Sequence, residues 1–378
     1  MESQFWKACS DGDVEEVKQL LQNPQININC KIYSKTPFYI TCEKGYVEIV
    51  KLLLNDQRVD LSKAPLYCAC FFGQITIVEL LLNDKRVDVN QADRTGWTPF
   101  YLACQRGNIE IVKLLLNDQK VDINKADNNG WTPLWIACEK GHIEVVKLLL
   151  NDERVDVNKA NNLNRINQEA NQGNEDDFDD EKASRRSKRF FFSTDLHANK
   201  YGGDTTPFYI ACLKGYIEIV KLLLNDQRVD INKANHDGKT SFWIASEKGY
   251  IEIIKLLLNN ERMVGISKEN VLSETPFWIA CEKGSLGIVK LLLNDNRFDI
   301  NKSNNNGTTP FLIAYQNGRI EIIKLLLNDN RISIKKKTNK GETVFDIAKT
   351  NNHLEIMKLI KELDTGNYQI INNKLFNN

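Results

Sequence analysis

Histidine is scarce in this chain, four residues in 378, and methionine is scarcer still at three. The four, His142, His197, His236 and His353, occupy registers that do not bring them together, so no metal site or proton relay is expected from them. Net charge is lacking as well. Lys plus Arg and Asp plus Glu both number 50, which leaves no basic field to make nucleic acid or an anionic membrane the main partner. No apolar run approaches the length of a membrane span, and the N-terminal MESQFWKACSDGD lacks the basic flank and apolar stretch of a secretory signal. Neither GxGxxG nor GxxxxGK[ST] occurs, so no phosphate-binding loop is expected. These absences argue against a cofactor, a small-molecule substrate and membrane insertion, and they place the chain in the cytoplasm.

Cysteine is not scarce. Seven of the nine (Cys9, Cys42, Cys70, Cys104, Cys138, Cys212, Cys281) share one register of a repeat, with Cys30 and Cys68 outside it. Stacked helices lie about 8–10 Å apart, beyond the roughly 7 Å between Cα atoms that a disulfide spans. The thiols are therefore read as small buried groups in a reducing compartment.

The periodicity is plain once Pro37 is taken as an anchor. Equivalent positions follow at Pro65, Pro99, Pro133, Pro207, Ser241, Pro276, Pro310 and Val344, with steps of 28, 34, 34, 74, 34, 35, 34 and 34. The step of 74 is one period plus 40 residues. An opening unit, FWKACSDGDVEEVKQLL, precedes them all and makes ten. In the clean unit GWTPLWIACEKGHIEVVKLLLNDERVDVNKANN, Thr132 caps a short helix that Pro133 opens, and Gly141 ends it in a left-handed turn. HIEVVKLLL then has the apolar spacing of a second helix, and Asn151 is expected to leave it in the left-handed region. DERVDVNKANN is polar and turn-rich, which predicts an extended hairpin. Neither helix can bury both faces alone, so the expected fold is an all-α repeat solenoid of stacked helix-turn-helix units with projecting hairpin loops.

These units resemble ankyrin repeats, on the strength of TPLWIACEKGHIEVVKLLL and the following DVN, and the resemblance covers nearly the whole chain. It implies L-shaped helix pairs with hairpins at right angles, a concave groove and a protein partner rather than catalysis. Two departures stand out. The histidine usual after Thr-Pro-Leu is replaced by Tyr39, Tyr67, Tyr101, Trp135, Tyr209, Trp243 and Trp278, whose hydroxyls or indole N–H groups are candidates for its hydrogen bond. The helix exit NDQRVD is one residue longer than the usual connection.

The expected organisation is five repeats in 1–162, a charged insert over 163–203, five repeats in 204–363 and a polar tail over 364–378. The end units read as caps, with Lys7, Asp346 and Lys349 in place of apolar residues. The insert carries EDDFDDEKASRRSKRFFF, in which dense charge argues for disorder. Ser184 and Ser187 are candidate phosphorylation sites within RRSKR. Phe190, Phe191 and Phe192 are a candidate masking segment that folds back on the binding edge.

Residues that break the repeat nominate the surface. Trp97 and Trp131 share one hairpin position where other units carry Lys35, Lys239, Glu274, Thr308 or Glu342, which predicts exposed aromatic anchors. Unit three lacks about six hairpin residues and has Phe71 and Phe72 where Glu-Lys is common. Arg94, Arg106, Asn129 and Lys140 complete the candidate set, and the recurrent Glu-Lys pairs predict a solvated face. The reading is a non-catalytic, monomeric scaffold or adaptor. The alternatives are a substrate-recruiting subunit of an enzyme complex, or a nuclear or nucleic-acid-associated factor acting through RRSKR.

Overall fold

The computed structural model describes residues 1–62, 65–161, 203–344, 346 and 347. Ser184, Ser187, Phe190 to Phe192, Lys349 and the polar tail lie outside the described residues. Among those described are 18 helices in nine pairs, one pair per repeat. Repeats 1 to 5 contain α1 (Glu2–Asp11) and α2 (Val14–Leu21), α3 (Pro37–Lys44) and α4 (Val47–Asn55), α5 (Pro65–Phe72) and α6 (Ile75–Leu82), α7 (Pro99–Arg106) and α8 (Ile109–Asn117), α9 (Pro133–Lys140) and α10 (Ile143–Leu150). Repeats 6 to 9 contain α11 (Pro207–Lys214) and α12 (Ile217–Asn225), α13 (Ser241–Lys248) and α14 (Ile251–Leu258), α15 (Pro276–Lys283) and α16 (Leu286–Leu293), α17 (Pro310–Gln316) and α18 (Ile320–Leu327). The chain forms two compact bodies, Met1–Pro207 and Phe208–Asn378. Within each, first helices stack on first helices and second helices on second helices, as an all-α solenoid requires. Among the described residues there is no strand, only an isolated bridge between Ile32 and Lys35, so the hairpin segments are turns rather than extended ribbons.

Local chemistry accounts for each pair. The Thr132 hydroxyl accepts from the Trp135 amide at 3.1 Å, and Pro133 gives up an N–H that has no partner in a first turn. The same cap recurs at Thr36, Thr98, Thr240, Thr275 and Thr309. Gly141 ends α9 at φ 79°, with its amide on the Cys138 carbonyl and the His142 amide on that of Ala137, the two bonds of a Schellman motif. At Gly107 a side chain is excluded twice. Its φ is +72°, and an added Cβ would meet the His142 ring of the next repeat at 2.7 Å.

Burial follows the stacking. Phe100, Tyr101, Leu102, Ala103 and Cys104 of α7 are all within 1 % of complete burial, because the first helix is covered on both sides. The second helix hides one stripe, Ile111, Val112 and Leu115 in α8, and turns Glu110 and Lys113 to water as an ion pair of 2.8 Å. Each fully buried aliphatic or aromatic side chain is worth about 1.5–3 kcal/mol. All nine cysteines are free thiols and eight are buried. Burial pushes the Cys9 thiol up to about 12, and it raises those of Cys42, Cys68, Cys70, Cys104, Cys212 and Cys281 as well, so they act as packing groups. Lys7 in α1 is exposed. The exposed Asp346 carboxylate takes the Thr343 amide at 2.8 Å, and the Asp346 amide donates to the Thr343 hydroxyl at 3.3 Å, the reciprocal pair of a capping box.

The exit from the second helix differs from the expectation. Asn151 is right-handed (φ −76°, ψ −10°), as are Asn83, Asn259, Asn294 and Asn328. The turn is instead made by the following Asp, or by Asn260 after Asn259, whose side-chain oxygen accepts the amide two residues on, as Asp152 does from Arg154 at 3.0 Å. That arginine folds back on the same carboxylate at 2.6 Å and donates to the Leu116 carbonyl at the end of the previous repeat's second helix at 2.7 Å. The extra residue of NDxRVD therefore builds a clasp that satisfies an open helix end one repeat away. Arg58, Arg86 and Arg331 reach Leu21, Leu54 and Leu293 in the same way. The next turn, RVDVN, adds a second tie. Asn124 donates to the Arg154 carbonyl at 2.7 Å and accepts from the Asp156 amide at 2.8 Å, while Asp122 makes the local turn.

Candidate partner-binding surface

The nominated residues fall on two rows, the hairpin tips and the C-terminal ends of the first helices. At the tips, Asp93 and Asp127 open four-residue turns, each taking two amides of its own loop on one carboxylate oxygen. Asn129 supplies one of those amides to Asp127, at 2.9 Å. Gly96 and Gly130 close the turns at φ 82° and 77°. The two tips are joined: the Asn128 amide donates to the Thr95 carbonyl at 2.9 Å, and its side chain to that of Arg94 at 2.9 Å. Arg94 itself projects into solvent.

Trp97 and Trp131 lie flat on their own repeats. The Trp131 ring stacks on Trp135 at 4.7 Å and 2° and is only 5 % exposed, so the expected projecting anchor is not found there. Trp97 stacks on Tyr101 at 5.7 Å and stays half-buried, with its N–H on Asp127 Oδ2 at 3.3 Å. Units with lysine at this position do the same with a cation. Lys239 Nζ sits 4.6 Å from the Trp243 ring and Lys35 Nζ 5.4 Å from Tyr39. Indole and ammonium both cover a ring face, which is why the position accepts either.

The aromatics in place of histidine do bond the next hairpin. Tyr67 and Tyr101 hydroxyls lie 3.1 Å and 3.4 Å from Asp93 and Asp127 carboxylates. Trp135 donates to Thr205 at 3.2 Å, Trp243 to the Glu274 carbonyl and Trp278 to the Thr308 carbonyl, both at 2.8 Å. Burial outweighs these donors at Asp127 and pushes its carboxyl up to about 6.

On the second row Phe71 and Phe72 meet edge to face at 4.9 Å and are half-buried. The exposed Arg106 guanidinium lies 4.1 Å over the Phe71 ring, a pairing that sequence spacing alone did not suggest. Lys140 is exposed and pairs with Glu139 at 2.9 Å, but Glu139 is buried, so this part of the Glu-Lys series is no solvated face. Glu43 pairs with Lys35 rather than its neighbour Lys44. His142 caps α7, the first helix of the preceding repeat, its Nε2 2.9 Å from the Gln105 carbonyl. Among the described residues, no three His, Cys, Asp or Glu side chains are placed to hold a metal ion, and no helix is long and apolar enough to cross a membrane.

Comparison with curated proteins returns no match. The family described as ankyrin repeats (3 copies) matches residues 5–93, 84–161, 188–267 and 277–372, which is most of the sequence. With helix pairs, caps and inter-repeat bonds of this pattern, the chain belongs to the ankyrin-repeat family.

Proposed function

We propose that this chain is a non-catalytic scaffold or adaptor of the cytoplasm that binds a partner protein along the tips of repeats 4 and 5 and the first-helix ends of repeats 3 to 5. Ankyrin repeats generally mediate protein–protein interaction, and that coarse role comes with the family. The observation that carries the finer reading is the pairing of two tied tips, which hold Arg94 and the half-buried Trp97 in fixed positions at one edge. A bonded tip loses little conformational freedom on binding, so its side chains act as preorganised contacts. Arg106 over Phe71 extends the cationic and aromatic character along the helix-end row, and arginine and aromatic residues are the types enriched at protein interfaces.

The test is affinity capture with the intact chain beside an Arg94→Glu variant, followed by quantitative mass spectrometry. The Arg94 side chain is exposed and enters none of the ion pairs among the described residues, so the variant is expected to keep its melting temperature within a few degrees. A stoichiometric partner should fall by tenfold or more. Retention of the same partners at the same level would remove this surface from consideration.

A further inference from the structure

Wherever neighbouring described tips are both full length, one main-chain bond joins them. The amide of the second turn residue donates to the carbonyl of the third turn residue in the tip before it: Asn128 to Thr95, Val271 to Asp237, Asn305 to Leu272, Asn339 to Asn306, all at 2.9–3.0 Å. Asn128, Asn305 and Asn339 add a side-chain bond of 2.8–3.1 Å beside it. The spacing is tight enough that a Cβ at Gly96 would lie 2.7 Å from the Asn128 amide nitrogen.

Repeat 3 has helices but no such tip, and the flanking tips show the consequence. Arg94 is the second turn residue of repeat 4, and its amide has no acceptor among the described residues. On the other side, repeat 2 makes a two-residue turn in which Tyr33 (φ 52°) and Ser34 (φ 62°) are both left-handed without being glycine. Their main-chain groups have no hydrogen-bond partner among the described residues either. Tyr33 is 86 % exposed, braced only at its edge by Trp6 at 6.0 Å. Beside this turn lies a cavity of about 120 Å³ lined by Lys31, Ser34, Phe38, Tyr39, Asp60 and Pro65. Unpaired main-chain donors and acceptors along an edge are what an added segment from another chain satisfies. Lys31 and Arg94 stand exposed on the two sides and enter none of the ion pairs among the described residues.

We propose that the notch over repeat 3 receives a projecting β-turn of a partner protein, of the Asp/Asn-x-x-Gly type and with an acidic residue at its exposed positions. Its third turn carbonyl takes the Arg94 amide, its second turn amide bonds a carbonyl of the Tyr33-Ser34 turn, and its acidic side chain faces Lys31 and Arg94. The bound turn stands where a full-length repeat 3 would place its own. This rests on the protein-binding reading above and names the shape and charge of the partner element.

The experiment uses the full chain and a labelled, head-to-tail cyclised peptide, KADNNGWT, which copies residues 125–132 of repeat 5. Fluorescence anisotropy should show saturable binding at or below millimolar concentration, and hydrogen exchange at Arg94 should slow when the peptide is present. A second chain has DRTGWT, a copy of residues 93–98, inserted between Ala64 and Pro65, which restores repeat 3 to the 34-residue period. It should bind the peptide at least tenfold more weakly. The Asn129→Asp peptide should bind at least threefold more tightly than the Asn129→Lys peptide; equal affinities would overturn the acidic assignment. No binding to the natural chain, or equal binding to the filled one, would overturn the notch. Affinity capture with both chains separates that failure from failure of the broader reading. An unchanged partner set on the filled chain rejects the notch alone, whereas no partner on either chain rejects protein binding itself.

Discussion

Repeats 2 to 4 and repeats 7 to 9 are written in nearly the same residues, yet their hairpin edges are joined differently. In the second group every tip bonds the next, and Trp243 and Trp278 reach over to the following hairpin at 2.8 Å. In the first group repeat 3 has no tip, Tyr39 makes no bond to a following tip, and its ring is instead covered by Lys35. The helices stack in both. The comparison teaches that helix packing and the clasps at the helix exits suffice to build the stack, while the tip edge is a separate layer of bonding that one repeat can omit.

Breaking the fuller edge should cost most. Trp278 is 2 % exposed, and Trp278→Ala removes both its volume and its bond to Thr308, a loss of about 3–5 kcal/mol. Tyr39→Ala, at a half-buried ring with no tip to bond, should cost only about 1–2 kcal/mol. Urea midpoints of the two variants measure the contrast, and equal losses would erase the distinction between the groups.

Next in size is a dependence on pH whose sign differs between sites. Asp127 stands at about 6 when folded against an ordinary 3.8, so the folded chain holds a proton there that the unfolded chain releases. Its contribution is full below the ordinary value and is lost as pH rises through about 6. Asp127→Asn should therefore stabilise by about 1–2 kcal/mol at pH 7.5 and have little effect near pH 4, read from urea midpoints at the two values. The clasp carboxylates run the other way. Bonds from Arg58 and Arg86 hold Asp56 and Asp84 below the ordinary 3.8, so their contribution is present above that value and disappears only as pH falls below it.

Smaller still is the clasp itself. Arg58→Ala gives up donors to the Leu21, Asn23 and Pro24 carbonyls and to Asp56, about 1 kcal/mol for a side chain a third open to water. Repeat 4 carries Lys120 at this place and has no clasp, so Lys120→Arg should add about 0.5 kcal/mol. The smallest expected effect is at Ser273, which closes the repeat 8 turn at φ 60° where Gly96, Gly130, Gly238, Gly307 and Gly341 close theirs. Ser273→Gly should stabilise by less than about 0.5 kcal/mol, read from the urea midpoint, because relief of the left-handed strain is largely offset by the extra freedom of glycine in the unfolded chain.

Much of this was legible in residue order. Thr-Pro starts, glycine corners and apolar spacing are local signals, each satisfied within one repeat, and the helices begin and end where they say. The substitution of Tyr and Trp for histidine was legible too, because any donor of similar reach can bond the next hairpin. What escaped depends on a neighbour. Trp131 looked exposed because lysine occupies its place elsewhere, but the position covers a ring, and either an indole or an ammonium does so. The role of the arginine of NDxRVD escaped because its partner carbonyl lies a whole repeat away. Asn151 failed because the turn is made one residue later, by Asp152.

The clasps, the Asn bridges and the side chains over corner glycines such as Gly107 run from one repeat to the next, so a repeat such as the fifth carries the giving half of its seam with the repeat before it. Copying one period of DNA in frame therefore creates one new seam, between the copy and its original, with both halves already in place. Array length in such a protein can change in a single genetic event without a compensating substitution, whereas a repeat lacking its tip passes that gap on with every copy.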